Sequence, residues 1–320
     1  MKILNLAATL LVAGPLWGYS YYLTDDLTTL DPLRWTVAGN VTPGSTGLTA
    51  PDSAGGSFIS RVPVPDGSGE AEVRITLRLG ASGGTYTEFL QATPDSRTGG
   101  PGGGTHLAFE MQNPQFDTEQ HCTANFLVLQ SVGGVTTLLS SFQHSCRDGM
   151  EMRMAVHGQV ALIWPDQPTP MELPVAASGV GQPGVGAYGV PAGNAISLVQ
   201  LGSMDRVAPP AIDKEKVGVS AFRNRVDVQW PPVTDEAAGS GLAGYWISRD
   251  GRYFMRTTST MFQDLAVKPG ETHTYAIAAV DQHYNFSPPV SVTVSTPAPS
   301  GGSPPPSAPR VPRLPAALPK

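Results

Sequence analysis

Paired carboxylates come closest to a catalytic arrangement in this sequence. Glu70 and Glu72 occupy alternate positions of GEAEVRI, where a β-strand would point both side chains to one face. A retaining glycosidase needs two carboxyl groups about 5 Å apart. Glu88 and Glu110 also lie in strand-like segments, but neither has an acidic residue two positions away. The carboxylates therefore predict no convincing catalytic site, and the sequence favours a protein that is not an enzyme.

His273 is a second residue that invites a catalytic interpretation, because it lies beside Tyr275 in the alternating segment HTYAIAAVD. A catalytic histidine needs a nucleophile or a carboxylate within hydrogen-bond reach, and no pattern in the sequence identifies one. Most alternating strands are half-buried walls of a sandwich. We therefore expect His273 to be structural.

Side chains along the middle strands indicate binding rather than catalysis. Sugar sites commonly combine aromatic rings, which stack on the apolar face of a sugar, with carboxylates and amides that bind its hydroxyls. The alternative is that these rings line the core, because each lies among apolar residues. The candidate ligand-binding residues are Tyr86, Phe89, Phe109, Glu110, Phe116, Asn125 and Phe126.

The glycine-rich segment DSRTGGPGGGTH, Asp95 to His106, predicts a loop that would cap a concave face. No lysine follows its glycines and no helix begins there, so it does not predict a phosphate-binding loop.

The two cysteines, Cys122 and Cys146, predict a disulfide bridge, because an exported chain meets an oxidising compartment. The alternative is a metal site, since His121 and His144 lie within two residues of a cysteine. The CxxC spacing typical of such sites is absent, which favours the bridge.

The elements that position these residues are predicted to be short strands. The chain has 320 residues, 36 glycines, 31 prolines and only 14% charged residues, and helical periodicity is scarce. This composition indicates an all-β protein, and its length favours two domains.

Residues 1–20, MKILNLAATLLVAGPLWGYS, predict a secretory signal peptide, with an uncleaved anchor as the alternative. The apolar run from Ile3 to Ala13 is short for a membrane span, which needs about 20 residues. We expect a secreted or cell-surface protein without a later membrane span.

The first domain is predicted at residues 21–205, where ten strand candidates favour a jelly roll of two stacked sheets. It holds 17 acidic residues, seven arginines and no lysine, a balance of −10. This excludes a phosphate-tracking surface, so no nucleic-acid partner is expected. No cofactor is expected either, except for a structural calcium that Asp25, Asp26 and Asp205 would hold if the domain's termini converged.

The second domain is predicted at residues 206–297, after a seam at Pro209-Pro210. Seven short strands with turn signals such as Asp250-Gly251 predict an immunoglobulin-like sandwich. Residues 298–320 are Pro-rich and predict a disordered tail, either a linker or a docking segment for an aromatic groove.

The order of motifs in the first domain resembles a concanavalin A-like lectin/glucanase domain of the laminin-G-like sort. The motifs are DDLTTLDPLRWTVAGN, AEVRITLRLG, DGMEMRMAVHGQVALIWPD and GQPGVGAYGVPAGNAISLVQLGSMD. The resemblance implies a β-jelly roll and recognition of a glycan. The dense carboxylate strand of the glucanases on this fold is absent.

Residues 208–296 resemble a fibronectin type III domain. The resemblance rests on Trp230 after VDVQ, and on GYWISRDG, LAVKPGETHTYAIAAVD and YNFSPPVSVTV in that order. In that family a corner tyrosine usually stands six residues before the strand's alanine, and here Ala279 places His273 at that position.

The sequence thus predicts an exported, non-catalytic protein that binds a polysaccharide or glycoconjugate through the first domain, with the second domain as a spacer. One alternative is an extracellular adhesion or assembly protein that binds another protein. A second alternative is a glycoside hydrolase.

Overall fold

A computed structural model of the chain describes residues 21–51, 55–65, 70–92, 104–167, 170–176, 181–237 and 239–298. The predicted signal peptide and all but Ala298 of the predicted Pro-rich tail lie outside these residues. The described chain is all-β, as predicted, and consists of a jelly-roll sandwich followed by an immunoglobulin-like sandwich. Its helical content, one three-residue turn at Lys214–Lys216, is far too short to cross a membrane.

Fifteen described strands form the first sandwich. They are β1 (Tyr21–Asp25), β2 (Trp35–Gly39), β3 (Thr42–Gly44), β4 (Gly47–Thr49), β5 (Gly56–Ser60), β6 (Ala71–Arg78), β7 (Thr85–Ala92), β8 (His106–Phe116), β9 (Cys122–Val132), β10 (Val135–Cys146), β11 (Glu151–His157), β12 (Val160–Pro165), β13 (Met171–Pro174), β14 (Gln182–Tyr188) and β15 (Ala195–Ser203).

These strands pair into two sheets. The eight-stranded sheet has the order β13-β12-β11-β6-β15-β4-β3, with β1 also paired to β15. The seven-stranded sheet has the order β10-β9-β8-β7-β14-β5-β2. Alternate residues point between the sheets, so Ile75 and Leu77 of one sheet share a buried core with Phe58, Phe109 and Phe126 of the other.

The predicted disulfide bridge between Cys122 and Cys146 is present. The two cysteines stand directly opposite each other, one at the start of β9 and one at the end of β10. Because each sulfur is bonded to the other, neither is a metal ligand. The bridge fixes the end of β10 to its neighbour.

The second sandwich has the seven strands that the sequence predicts. They are β16 (Gly218–Phe222), β17 (Arg225–Gln229), β18 (Leu242–Arg249), β19 (Arg252–Thr257), β20 (Met261–Asp264), β21 (Thr272–Asp281) and β22 (Val290–Ser295). A three-stranded sheet, β16-β17-β20, faces a four-stranded sheet, β19-β18-β21-β22. Trp230 packs edge-on against Tyr245 in the core, with ring centroids 5.2 Å apart.

His273 has carboxylate partners that the sequence pattern did not identify. Its Nδ1 lies 2.7 Å from the Asp250 carboxylate and its Nε2 lies 3.3 Å from Glu271. The hydrogen bond to Asp250 raises the pKa of His273. Tyr275, two residues on, donates its hydroxyl to the buried Asp264 at 2.7 Å. All these contacts connect strands and turns of one sandwich, which agrees with a structural role.

A buried ion pair of the first sandwich is contacted by a histidine of the second, which joins the two sandwiches. Glu72 of β6 and Arg153 of β11 approach within 2.5 Å, and their side chains are 0% and 11% exposed. His283 of the second sandwich lies 2.7 Å from the same Glu72 carboxylate. Its Nδ1 accepts the backbone N–H of Asp205, so Nε2 carries the proton and donates to Glu72. Burial favours the neutral ring and lowers the pKa of His283.

Glu72 stays charged at this junction. Burial alone would raise its pKa, but the Arg153 charge and the His283 hydrogen bond outweigh burial and hold the pKa of Glu72 at about 2. Glu70, its partner in the candidate carboxylate pair, accepts the N–H of Gly158 and pairs with Arg206. Both carboxylates of the closest glycosidase-like pair are therefore bound by protein donors.

A second set of contacts continues the junction along β13. Tyr284 donates its hydroxyl to Glu172 at 2.7 Å, and Arg256 donates to the other oxygen of that carboxylate at 3.0 Å. Trp164 donates its indole N–H to Gln282. The second sandwich thus packs against the eight-stranded sheet. These contacts do not involve the outer face of the seven-stranded sheet.

Candidate functional site

Polar side chains cross the outer face of the seven-stranded sheet in one row. Ser57 of β5 stands opposite Gly186 of β14, Gly186 opposite Thr87 of β7, and Thr87 opposite Glu110 of β8. Neighbouring strands lie about 4.8 Å apart, so the row spans about 14 Å. We call Ser57, Thr87, Glu110, Gln112 and Tyr188 the polar face.

Three hydroxyls of the polar face are buried without a hydrogen-bond partner in the described part of the chain. They belong to Ser57, Thr87 and Tyr188. Buried polar groups in proteins nearly always have a partner, because an unsatisfied group costs about 1–3 kcal/mol. A cluster of three on one face is therefore unusual and marks this face as a candidate polar site.

Glu110 lies at the centre of the polar face and is 5% exposed. Burial raises its pKa, while a hydrogen bond of 2.7 Å from the Gln112 side chain works in the opposite direction. Burial, followed by the charge of Glu110, raises the pKa of Tyr188 well above its usual range. The face therefore offers a carboxylate acceptor beside a hydroxyl that stays protonated and can donate.

Two glycines, Gly186 of β14 and Gly55 next to β5, leave room for aromatic rings on this face. A Cβ on Gly186 would come within 2.8 Å of the Phe89 ring. A Cβ on Gly55 would come within 2.2 Å of the Tyr188 ring, which crosses that backbone. Phe89 packs in a small outer cluster with Ile59 and Leu129. The apolar floor of the face is thus built beside its polar row.

The prediction that Tyr86, Phe109 and Phe126 bind a ligand is wrong. All three are fully buried between the two sheets, where they belong to the main core. Tyr86 accepts a hydrogen bond from the buried Asn194 side chain through its hydroxyl. An enclosed ring has no face left for a sugar, so the core interpretation of these three is the right one.

The other candidate residues lie on or near the polar face. Phe89 and Glu110 are on it, although Phe89 is almost fully buried. Asn125 is exposed on the same side, directly opposite Gln112, and accepts a hydrogen bond from Gln143. Phe116, at the end of β8, packs partly against the main core. Their role in binding stays a prediction.

Sequence reasoning missed Ser57, Thr87, Gln112 and Tyr188. Serine and threonine in apolar strands carry no binding signal, because most such residues are structural. The glycine-rich segment before Tyr188 was the available clue, since glycine in a strand often marks a close approach of another group. The capping loop predicted at Asp95 to His106 lies mostly outside the described residues.

A pair of catalytic carboxylates is not found on the polar face within the described residues. Glu110 is the one carboxylate there, because Glu88 on the neighbouring strand points into the core and accepts the N–H of Ile75. Burial first, and the charge of Glu72 second, raise the pKa of Glu88 well above its usual range. A carboxyl enclosed between the sheets cannot reach a ligand on the outer face.

The residues predicted to hold calcium do not converge. Asp25 stands opposite Val199 in the β1–β15 pair, six residues before Asp205, so the two lie towards opposite ends of that pair. Asp25 instead accepts hydrogen bonds from the N–H of Leu27 and from the Trp35 indole. Antiparallel pairing carries the start of β1 towards Asp205 and the end of β1 away from it. A structural calcium stays a prediction.

Asp205 lies in a different acidic cluster at the junction. One oxygen each of Asp205, Asp235 and Asp281 lie within 4.8 Å of one another. Burial, followed by a hydrogen bond with Glu236, raises the pKa of Asp235 to about 6. Burial also raises the pKa of Asp281 to about 7, although hydrogen bonds from Asn285 oppose the shift. Carboxylates are the ligands that Ca²⁺ prefers, so these are the described residues that could hold one.

We expect Asp281→Asn to remove part of the pH dependence of stability. The folded chain binds the Asp281 proton more tightly than the unfolded chain between about pH 4 and pH 7, so this group's contribution to the unfolding free energy falls as pH rises through that window. Urea unfolding in the presence of a chelator gives the unfolding free energy of both proteins at pH 5 and at pH 7.5. The unfolding free energy of the variant, relative to that of the wild type, should be higher at pH 7.5 than at pH 5. Asp213→Asn, on the surface, is the control. If the difference in unfolding free energy between variant and wild type is the same at both pH values, the raised pKa of Asp281 is contradicted.

Comparison with known proteins gives limited likenesses. No protein-family model matches the chain. A curated relative, Exoglucanase B of Cellulomonas fimi, is 36% identical over 110 residues, which are 34% of this chain and 10% of the relative. The chain thus spans about a tenth of the length of the curated relative that it matches.

Two solved structures show partial likeness. The carbohydrate-binding module CBM66 of Bacillus subtilis is 10% identical with a TM-score of 0.38, over 53% of this chain and 92% of that one. A β-1,3-1,4-glucanase (lichenase) derived from a mouse hindgut metagenome is 13% identical with a TM-score of 0.37, over 57% of this chain and 99% of that one. At these scores the likenesses carry no argument about the site.

Proposed function

We propose that this chain is an exported, non-catalytic glycan-binding protein and that the polar face is its glycan site. The observation that carries the proposal is the row of buried hydroxyls without partners, Ser57, Thr87 and Tyr188, around the Glu110 carboxylate. Sugar hydroxyls both donate and accept hydrogen bonds, so a glycan can satisfy a carboxylate and several hydroxyls at once. An apolar ligand would leave them unsatisfied.

The charge of the first sandwich favours a neutral or basic glycan. Residues 21–205 carry a balance of −10, and the carboxylate on the polar face is Glu110. A field of this sign repels acidic polysaccharides and does not hinder neutral ones. Tyr188 is the aromatic ring of the face that retains some exposure, so stacking contributes little and the affinity should be modest.

Two further observations support the proposal. The bridged cysteines suit an exported chain, because disulfides persist in oxidising compartments. The relative that shares a 110-residue segment with this chain is called an exoglucanase, so a polysaccharide setting is reasonable for both. The second sandwich, which contacts the opposite sheet, then acts as a spacer on the side away from the polar face.

We expect Glu110→Gln to weaken glycan binding by about tenfold or more, because a hydrogen bond to a charged acceptor contributes about 1.5–3 kcal/mol. Isothermal titration of the whole chain with soluble neutral and amino-sugar polymers measures the change. Tyr188→Phe should weaken binding severalfold by removing one donor. Glu119→Gln, on an exposed turn of the same sandwich, is the matched control and should bind like the wild type.

Either of two results would contradict the proposal and favour one of the alternatives. If no polymer produces heat while the chain retains a protein from culture supernatant, the adhesion alternative is right. If the chain releases reducing sugar from a polymer, it is a hydrolase and the non-catalytic proposal is wrong.

A further inference from the structure

We propose that β10 is an association edge, through which two copies of this chain pair antiparallel and join their seven-stranded sheets. The strand spans twelve residues, Val135–Cys146, and pairs with β9 alone. No other strand in the described part of the chain covers its second side. An edge strand presents a row of free N–H and C=O groups there, which is a template for another strand.

The strand is held firmly enough to act as a template. Phe142 stacks on Phe126 of β9, with ring centroids 5.5 Å apart and planes 8° from parallel. Leu139 packs against the main core, and Cys146 is bridged to Cys122. Because one face and one end of β10 are fixed, little further ordering is needed when a second strand pairs with it.

The edge of β10 lacks the devices that usually prevent pairing. Natural edge strands are short, charged, interrupted by proline or covered. β10 contains no Lys, Arg, Asp, Glu or Pro, and Val135 and Leu138 are 72% and 53% exposed. Its one interruption is a register shift between Leu138 and Ser140. The segment Ser140–Cys146 beyond that shift keeps seven residues in continuous register.

The other edges of the described sheets are protected. β1, which pairs with β15 alone, has five residues and ends at Asp25. β13 has four residues, and its Glu172 is bound by the second sandwich. β3 has three residues with a proline at the centre, and β2 has five. In the second sandwich β16 has five residues and β20 four, β19 carries two arginines, and the six-residue β22 directly follows Pro288-Pro289. The contrast singles out β10.

A second copy is the occupant that fits this edge. Two identical antiparallel strands are complementary to themselves about a twofold axis, so both copies contribute the same free groups. Two copies of a chain with a net charge of −6 repel each other at most surfaces, but an uncharged strand lets them approach. A foreign strand would need a matching edge of its own.

The pairing has a consequence for binding, which rests on the proposed function. A twofold axis perpendicular to the sheet keeps both polar faces on the same side. Glu110 lies on β8, two strands from β10, so the two β8 strands would be five strand spacings, about 24 Å, apart. One long polysaccharide could then reach both sites, and a modest affinity would become a tighter one through avidity.

Sedimentation equilibrium of the whole chain without glycan tests the pairing, so its outcome does not depend on the proposed function. We expect the average mass to rise towards twice the monomer mass between about 10 μM and about 1 mM, a range typical of small interfaces. Ser141→Lys should weaken association at least tenfold, because like charges on paired strands repel. Thr123→Lys, exposed on the same face but on β9, is the matched control and should associate like the wild type.

Hydrogen exchange locates the interface in the same samples. The amides of Ser140–Cys146 should exchange more slowly at high concentration than at low concentration. A monomer mass at every concentration would overturn the proposal. So would association that Ser141→Lys does not weaken, provided that this variant unfolds in urea like the wild type. Capture of an unrelated extended peptide by β10 without self-association would refute the choice of occupant.

Discussion

Glu72→Gln is expected to lower the free energy of unfolding by about 3 kcal/mol, a scale typical of removing one partner from a buried ion pair. The variant leaves the charge of Arg153, only 11% exposed, without its carboxylate. It also weakens the acceptor of the His283 ring. Because both partners contribute to the junction, the two sandwiches should lose their mutual contact before either loses its own core. Urea unfolding followed by tryptophan fluorescence and far-UV circular dichroism measures the loss.

Glu70→Gln is the matched control, two residues away on the same strand. Its partner Arg206 is 48% exposed, and exposed pairs contribute about 1 kcal/mol or less. A second variant, Glu72→Met with Arg153→Met, removes both charges and should recover part of the loss, since no buried charge is left unpaired. Equal losses for Glu70→Gln and Glu72→Gln would mean that the junction is not a buried ion pair in solution.

Removal of the disulfide is expected to cost about 3 kcal/mol. The bridge joins residues 24 positions apart, and a loop of that length restricts the unfolded chain by roughly this amount in the chain-entropy model. The double variant Cys122→Ser with Cys146→Ser should unfold at lower urea concentration than the oxidised wild type. Reductant should destabilise the wild type and leave the double variant unchanged.

Mass spectrometry of unreduced peptides provides the independent check. A peptide pair linked through the two cysteines is expected from the exported protein. Two free thiols in that protein would contradict the bridge and would reopen the metal alternative that His121 and His144 raised.

The sequence predicted the fold well because alternation and turn residues are local signals. The second sandwich has the seven strands that were predicted. In the first domain ten strand candidates predicted a two-sheet jelly roll, and the described part of that sandwich has fifteen strands. The extra ones include β3 and β4, three residues each, which are too short to show alternation.

The candidate site was only half predictable. Alternation shows that Phe109 and Glu110 point to opposite faces but not which face is the core. Here both faces of β7 and β8 are largely buried, so the usual sign, polar residues outside, was weak. Glu110 and Asn125 were chosen by side-chain type, and both lie on the outer face of the sheet. Tyr86, Phe109 and Phe126 were misplaced because their apolar neighbours are equally consistent with either face.

No local sequence pattern predicts the contacts between the two sandwiches. Glu72 and His283 are 211 residues apart and meet only because two separately folded sandwiches pack together. From the sequence, Glu70 and Glu72 were considered only as a catalytic pair. Their spacing alone cannot distinguish a catalytic carboxylate from one that is paired with Arg153.

A crystal structure of the whole chain with a bound neutral oligosaccharide tests the central claim most directly. We predict a sugar on the outer face of the seven-stranded sheet, with one hydroxyl within hydrogen-bond distance of the Glu110 carboxylate and another within reach of the Tyr188 hydroxyl. Sugar bound elsewhere, for example on the second sandwich, or a polar face that stays free of sugar at saturating concentration, would contradict the account.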